Sequence, residues 1–259
     1  MAELVYAYAS GAYESNLVRV QIPPCPPGEQ AKNKNMRFPD FKHELESLRH
    51  GYTFAAGCDE VGVAPLAGPV VAAACILDQN SIGKYRSKKK WYCRVRDSKT
   101  TTEEEREVLH REILRHTLAY GVGEVWQAEI DKLNIHNASL RAMRLAVEKM
   151  LRGLARKNLF KSGRMLLFVD GRFTIPDLER TGLQLEQKSV IDADALILSV
   201  SAASIIAKVH RDKIMQDLHL KFPAYGFASH KGYPTLRHRN AIKKWGISGA
   251  HRKSFVKNK

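Results

Sequence analysis

The 259-residue chain reads as an α/β domain behind a shorter N-terminal extension. Short apolar runs, "FAAGC", "VVAAACIL" and "RMLLFVD", are bounded by Gly, Pro or Asp, as strands buried on both faces are. Between them Leu140, Met143, Val147, Met150, Leu151 and Leu154 recur at helical spacing. Near residue 54 the composition changes from proline-rich and polar to this alternation of strand and helix patterns.

Residues 1–53 form the expected extension: a proline-rich break, "QIPPCPPGEQ", favours extended chain, and a short helix is expected from Phe41 to Arg49. Residues 54–259 form the main domain. "FAAGC" and "VVAAACIL" flank a Gly/Pro turn and predict neighbouring strands. In "DSKTTTEEEREVLHREILRHTL" either Thr101 with Glu104 or Thr102 with Glu105 makes a capping box, with three acids suiting the positive helix end. "YGVGEVW" predicts a strand, and "NIHNASLRAMRLAVEKMLRGLARKN" a long amphipathic helix. "RMLLFVDGR" is a strand ending on Asp170. "DADALILSVSAASIIAKVHRDKIMQDLHL" predicts a second long helix, whose small residues permit close approach to a sheet.

Hydrophobic residues at 44% suffice for a core. Lys and Arg outnumber Asp and Glu by 42 to 27, so a polyanion is the first partner to consider. From Leu218 to Lys259 there is no acid, while Lys221, Lys231, Arg237, Arg239, Lys243, Lys244, Arg252, Lys253, Lys257 and Lys259 are basic. That run predicts a phosphate-contacting surface. Cys25, Cys58, Cys75 and Cys93 lack the short paired spacing of a zinc or redox site and read as reduced thiols. No secretory signal is evident and no apolar run reaches the ~20 residues of a membrane span. A cytoplasmic protein without membrane contact is expected.

In so basic a chain, acids at the mouths of apolar runs are conspicuous: Asp59 with Glu60, Asp170, and Asp192 or Asp194. Carboxylates that converge repel one another unless cations neutralise them, and hard divalent ions with oxygen ligands resolve the conflict. Ligands of open α/β sheets bind beyond strand carboxyl ends, where Asp170 falls. Adjacent strand residues face opposite ways, so the strand is expected to end or bend at Asp59 and Glu60. Each acid also has a plainer reading: Asp170 as a turn residue, Asp192 or Asp194 as a helix cap, and the pair in salt bridges.

The blocks "GCDEVGVAPLAGPVVAAACIL", "RDSKTTT", "IDKLNIHNASLRAMRLAV", "FVDGR", "SAASIIAKVHRD", "FPAYGFASHKGYPT" and "HRKSF" together resemble, in order, the signature segments of ribonuclease HII, the type 2 ribonuclease H family. The resemblance spans about Phe54 to Phe255. It implies a ribonuclease H-like mixed sheet flanked by helices, with a helical C-terminal portion. It further implies an endoribonuclease that hydrolyses the RNA strand of RNA/DNA hybrids and incises 5′ to ribonucleotides in duplex DNA, using two Mg2+ or Mn2+ ions. By motif, Asp59, Glu60, Asp170 and Asp194 correspond to the catalytic, metal-binding acids; alignment of "SAAS" selects Asp194 over Asp192. Lys99 resembles the phosphate-contacting residue and Tyr233 the tyrosine that stacks on the junction sugar. Gly62, Val63 and Ala64 stand where the family usually reads Gly-Arg-Gly, the segment that approaches the ribose 2′ hydroxyl. The implied partners are RNA/DNA hybrid and ribonucleotide-containing duplex DNA, bound by a monomer. A hybrid-binding protein without catalysis and a nuclease of different duplex preference are the competing readings.

Overall fold

The computed structural model describes residues 39–80, 91–95, 101–159, 163–178 and 184–256. Five strands, β1 (Phe54–Val61), β2 (Val70–Leu77), β3 (Thr117–Val125), β4 (Arg164–Asp170) and β5 (Gln184–Val190), form one sheet in the order β3-β2-β1-β4-β5. β1 pairs antiparallel with β2, and β2 with β3, whereas β4 and β5 run parallel to β1. The carboxyl ends of β1, β4 and β5 therefore share one margin of the sheet.

The helices follow their patterns. Helix α1 (Lys42–Arg49) stands where a short helix was expected. Helix α2 (Glu103–Arg115) opens on a capping box made by Thr102 and Glu105. A short helix, α3 (Gln127–Leu133), precedes α4 (Ile135–Arg156), which covers one sheet face with Ala142, Ala146, Val147, Met150 and Leu154. Helix α5 (Leu198–Lys221) covers the other face with Ala202, Ala203 and Ile206. Its small residues permit the predicted close approach: a Cβ at Gly57 of β1 would overlap the Ser199 and Val200 backbone. Beyond it, helix α6 (Leu236–Trp245) and the returning chain enclose a satellite core of Ala67, Met215, Tyr225, Phe227 and Ala250.

Helix α1 is tied to the main sheet layer. Phe41, Leu45 and Leu48 are buried, and Asp40 forms a parallel bridge with Ile197 just before α5. Fully buried Glu44 accepts the backbone N–H of Ser199.

Three expectations needed correction. Helix α5 begins at Leu198, after a 3-10 turn at Ala193–Ala195, because Asp192 takes a left-handed conformation that interrupts the helix path. Cys58 and Cys75 are free and buried, but Cys93 is disulfide-bonded, so the reduced-thiol expectation does not hold for it. Arg252, counted with the basic surface, is fully buried.

Candidate active site

Parallel pairing of Cys58 with Val169 places Asp59 and Asp170 one step further along adjacent strands, at the shared carboxyl margin. Asp59 is buried and hydrogen-bonded to the Ser204 side chain of α5, while its Oδ1 accepts the Glu60 N–H at 2.7 Å. Glu60 follows on the opposite pleat and is half-buried. Asp170 Oδ1 accepts the Ala193 N–H at 2.8 Å, which pins the 3-10 turn to the end of β4. Within that turn Asp194 is buried, whereas Asp192 is exposed. Asp194 does not cap α5, whose N-cap position is Ile197.

The four acids share one electrostatic field. Burial pushes the Asp59 carboxyl well above the usual carboxylate range; Glu60 and Asp170 raise it further, the Ser204 hydrogen bond opposes them, and Asp194 adds to the rise. Among the described residues no three His, Cys, Asp or Glu side chains are drawn into a metal-coordinating group. The acids are thus gathered within electrostatic reach, without a closed ligand cage. In charge and donor type they fit hard divalent cations: all are carboxylate oxygens, and added positive charge relieves the repulsion that Asp59 feels.

Strand β1 ends one residue beyond the paired acids, at Val61, close to where its end was expected. Its pairing with β2 continues through Glu60↔Ala72 and Val61↔Val71, while its pairing with β4 stops at Cys58↔Val169. One neighbour is lost and the other kept, so the acids gain an open side without a break in the strand. The turn comes later, at Gly62, whose φ of +90° suits glycine.

Val63 and Ala64 are exposed, and neither has positive φ. Ala64 needs none of glycine's backbone freedom. Tyr233 is 40% exposed, so it is not an aromatic core residue. Its turn is stitched to the segment after β1 by the Leu66 N–H, which donates to the Gly232 carbonyl. Lys99 lies outside the described residues. Residue-by-residue reading passed over Arg211 and His238 and gave Ser204 and Arg252 other roles, as a small packing residue and a surface cation, although all four touch the site or its loops. They lie in or beside blocks already singled out, "SAASIIAKVHRD", "GYPT" and "HRKSF", so membership of those blocks was the available signal.

The mixed five-stranded sheet, with helices on both faces and acids at its carboxyl margin, defines a ribonuclease H-like nuclease architecture. Ribonuclease H2 from Pyrococcus horikoshii superposes with a TM-score of 0.55 at 28% identity, over 78% of this chain and 93% of that one. Bst-RNase HIII, solved in complex with Mn2+, superposes at 0.59 over 82% of this chain and 70% of that one; at 18% identity this likeness concerns the fold alone. The family model for ribonuclease HII matches residues 56–258. Ribonuclease HII of Acetivibrio thermocellus is 42% identical over 216 residues, 83% of this chain and 75% of that protein. The chain belongs to the ribonuclease HII family, enzymes that cleave the RNA of RNA/DNA hybrids by metal-dependent hydrolysis.

Proposed function

We propose that the chain cleaves the RNA strand of RNA/DNA hybrids and also incises 5′ to ribonucleotides embedded in duplex DNA, with Asp59, Glu60, Asp170 and Asp194 holding two divalent ions. The supporting observation is the buried Asp59 carboxyl lying in the field of the other three acids at the joint end of β1 and β4. Those acids would hold Mg2+ or Mn2+, which would supply Lewis-acid activation of a water and neutralise charge on the departing 3′ oxygen.

The chain's own residues do the rest. Asp59 is oriented by Ser204 and by the Glu60 N–H, and Asp170 by the Ala193 N–H, so neither carboxylate reorients as charge develops. Gly62, Val63 and Ala64 lie alongside the ribose edge, Tyr233 stacks on the sugar at the junction, and Lys99 contacts phosphate. Exposed Arg237, Arg239, Lys243 and Lys244 grip the flanking backbone. Residues 54–259 form the catalytic unit and residues 1–53 an extension, in a protein that works as a monomer.

The deciding experiment offers labelled duplexes, with one ribonucleotide or a run of RNA, to the full chain and to Asp170→Asn in Mg2+ or Mn2+. Cleavage of both duplexes by the native chain, 5′ to the single ribonucleotide, with none by the variant, is expected. Tight binding of both duplexes without cleavage by the native chain overturns the proposal in favour of a hybrid-binding protein.

A further inference from the structure

Two arginines are fully buried against the segment that leaves β1, and both side chains are committed to backbone carbonyls. Arg252 donates from Nη2 to the Gly62 carbonyl at 2.6 Å, from Nη1 to that of Val63 at 2.8 Å and from Nε to that of Gly68 at 3.0 Å. Its own N–H bonds the Leu66 carbonyl. Arg211, on α5, donates to Pro69 and Ala67, and its Nη1 crosses to Lys231 in the turn that carries Tyr233. A Cβ at Gly62 would overlap the Arg211 side chain, so glycine is required for contact as well as for its positive φ.

The peptide bonds are trans, and a trans peptide directs its C=O and N–H oppositely. With the carbonyls of Gly62 and Val63 held inward by Arg252, the N–H groups of Val63 and Ala64 face outward, beside the acid pair. Among the described residues neither N–H has a backbone acceptor. Two guanidinium charges stand behind these peptides and favour an electron-rich oxygen in front of them, as in an anion-binding nest of successive N–H groups.

We infer that Arg252 and Arg211 are positioning residues for substrate reading: they turn the Gly62–Ala64 backbone so that two N–H donors meet the sugar edge of the cleaved strand. This rests on the nuclease reading above and deepens it. It also accounts for recognition without a cation at position 63: the positive charge sits behind the loop, and the donors belong to the main chain. Lysine cannot replace Arg252, because one ammonium cannot span three carbonyls with the geometry of a planar fork.

The test measures binding of the full chain to two duplexes of one sequence, all-DNA or with a single ribonucleotide, with Ca2+ replacing the catalytic ion. Native protein is expected to prefer the ribonucleotide. Arg252→Lys, and Ala64→Pro, which deletes one outward donor while leaving both arginines in place, are each expected to cut that preference by about fivefold to tenfold. For variants that remain folded at the assay temperature, affinity for all-DNA duplex should change little. If Arg252→Lys melts below the assay temperature, Arg211→Lys is read in its place with the same expected loss. A folded arginine variant that keeps the native preference overturns the inference and leaves the nuclease reading standing. A native protein without preference and without cleavage in Mn2+ overturns both.

Discussion

Glu44 Oε1 accepts the backbone N–H of Ser199 at 2.8 Å across 155 residues of sequence, closing the first turn of α5 with an acid from α1. Burial raises this carboxyl from the usual 4.5 to about 7, against the lowering effect of the Ser199 hydrogen bond. Between those pH values the fold holds a proton that the unfolded chain has released, so stability falls as pH rises from 4.5 through 7 and then levels. Glu44→Gln keeps an acceptor and has no charge to bury. It is expected to flatten this slope and to raise stability at pH 8 by roughly 2–3 kcal/mol, measured by denaturant unfolding.

The C-terminal histidines respond to pH in the opposite sense. His251 Nδ1 accepts the Ser248 N–H, which leaves Nε2–H to donate to His238 Nε2, whose Nδ1–H donates to the Tyr233 carbonyl. Each ring must be neutral in this relay. Burial first, and then His238, lowers His251 from 6.5 to about 4. Its contribution is present above pH 6.5 and is lost as pH falls through 4. Hydrogen exchange should show the amides of Gly232, Tyr233 and His238 losing protection at pH 4.5 relative to those of β1.

Asp59→Asn replaces a buried carboxyl, whose ionisation burial and the neighbouring acids oppose, with an amide that never ionises. Without divalent ions the variant is expected to be more stable than the native chain, by about 1–2 kcal/mol. Turnover should fall by more than the roughly 100-fold typical of losing an outer-shell partner of a metal, with duplex affinity largely spared. Unchanged turnover would remove Asp59 from the ligand set.

At Gly57 the backbone of α5 leaves no space for a methyl group, and the obstruction is main chain that cannot rotate away. Gly57→Ala should destabilise the fold by about 3 kcal/mol or more, read as a lower denaturation midpoint with an unchanged m-value.

Exposed Lys243 and Lys244 lie in the acid-free C-terminal run. Duplex affinity should fall steeply with salt, and replacing either lysine with alanine should reduce the slope of log affinity against log salt by about 1. Arg252 contributes nothing to that slope directly, because it is buried and bonded to carbonyls.

Buried elements were legible because their composition is dictated by burial: β2 is an uninterrupted apolar run, β1 and β4 carry apolar runs that lead up to acids, and α4 repeats at helical spacing. Strand β5, "QLEQKSV", was missed because an edge strand with polar outward residues has no such run. The placement of Asp170 at a strand end was legible from the apolar residues before it. The choice of Asp194 over Asp192 was legible only through the family block "SAAS"; residue chemistry alone left it open, since it depends on a left-handed residue and a single 3-10 turn. Buried Arg252 was invisible in another way: arginine in a basic run looks solvated, and only the folded loop supplies the carbonyls that let it stay inside.

That margin strand has a consequence for behaviour in concentrated solution. Among the described residues β5 has a sheet partner on one side only, and Gln184, Glu186 and Lys188 alternate as its exposed residues, with Arg164 and Tyr52 bonded to Glu186. A foreign strand seeking to extend the sheet would have to strip water from these charged groups and compete with their existing bonds, so the boundary itself resists self-association.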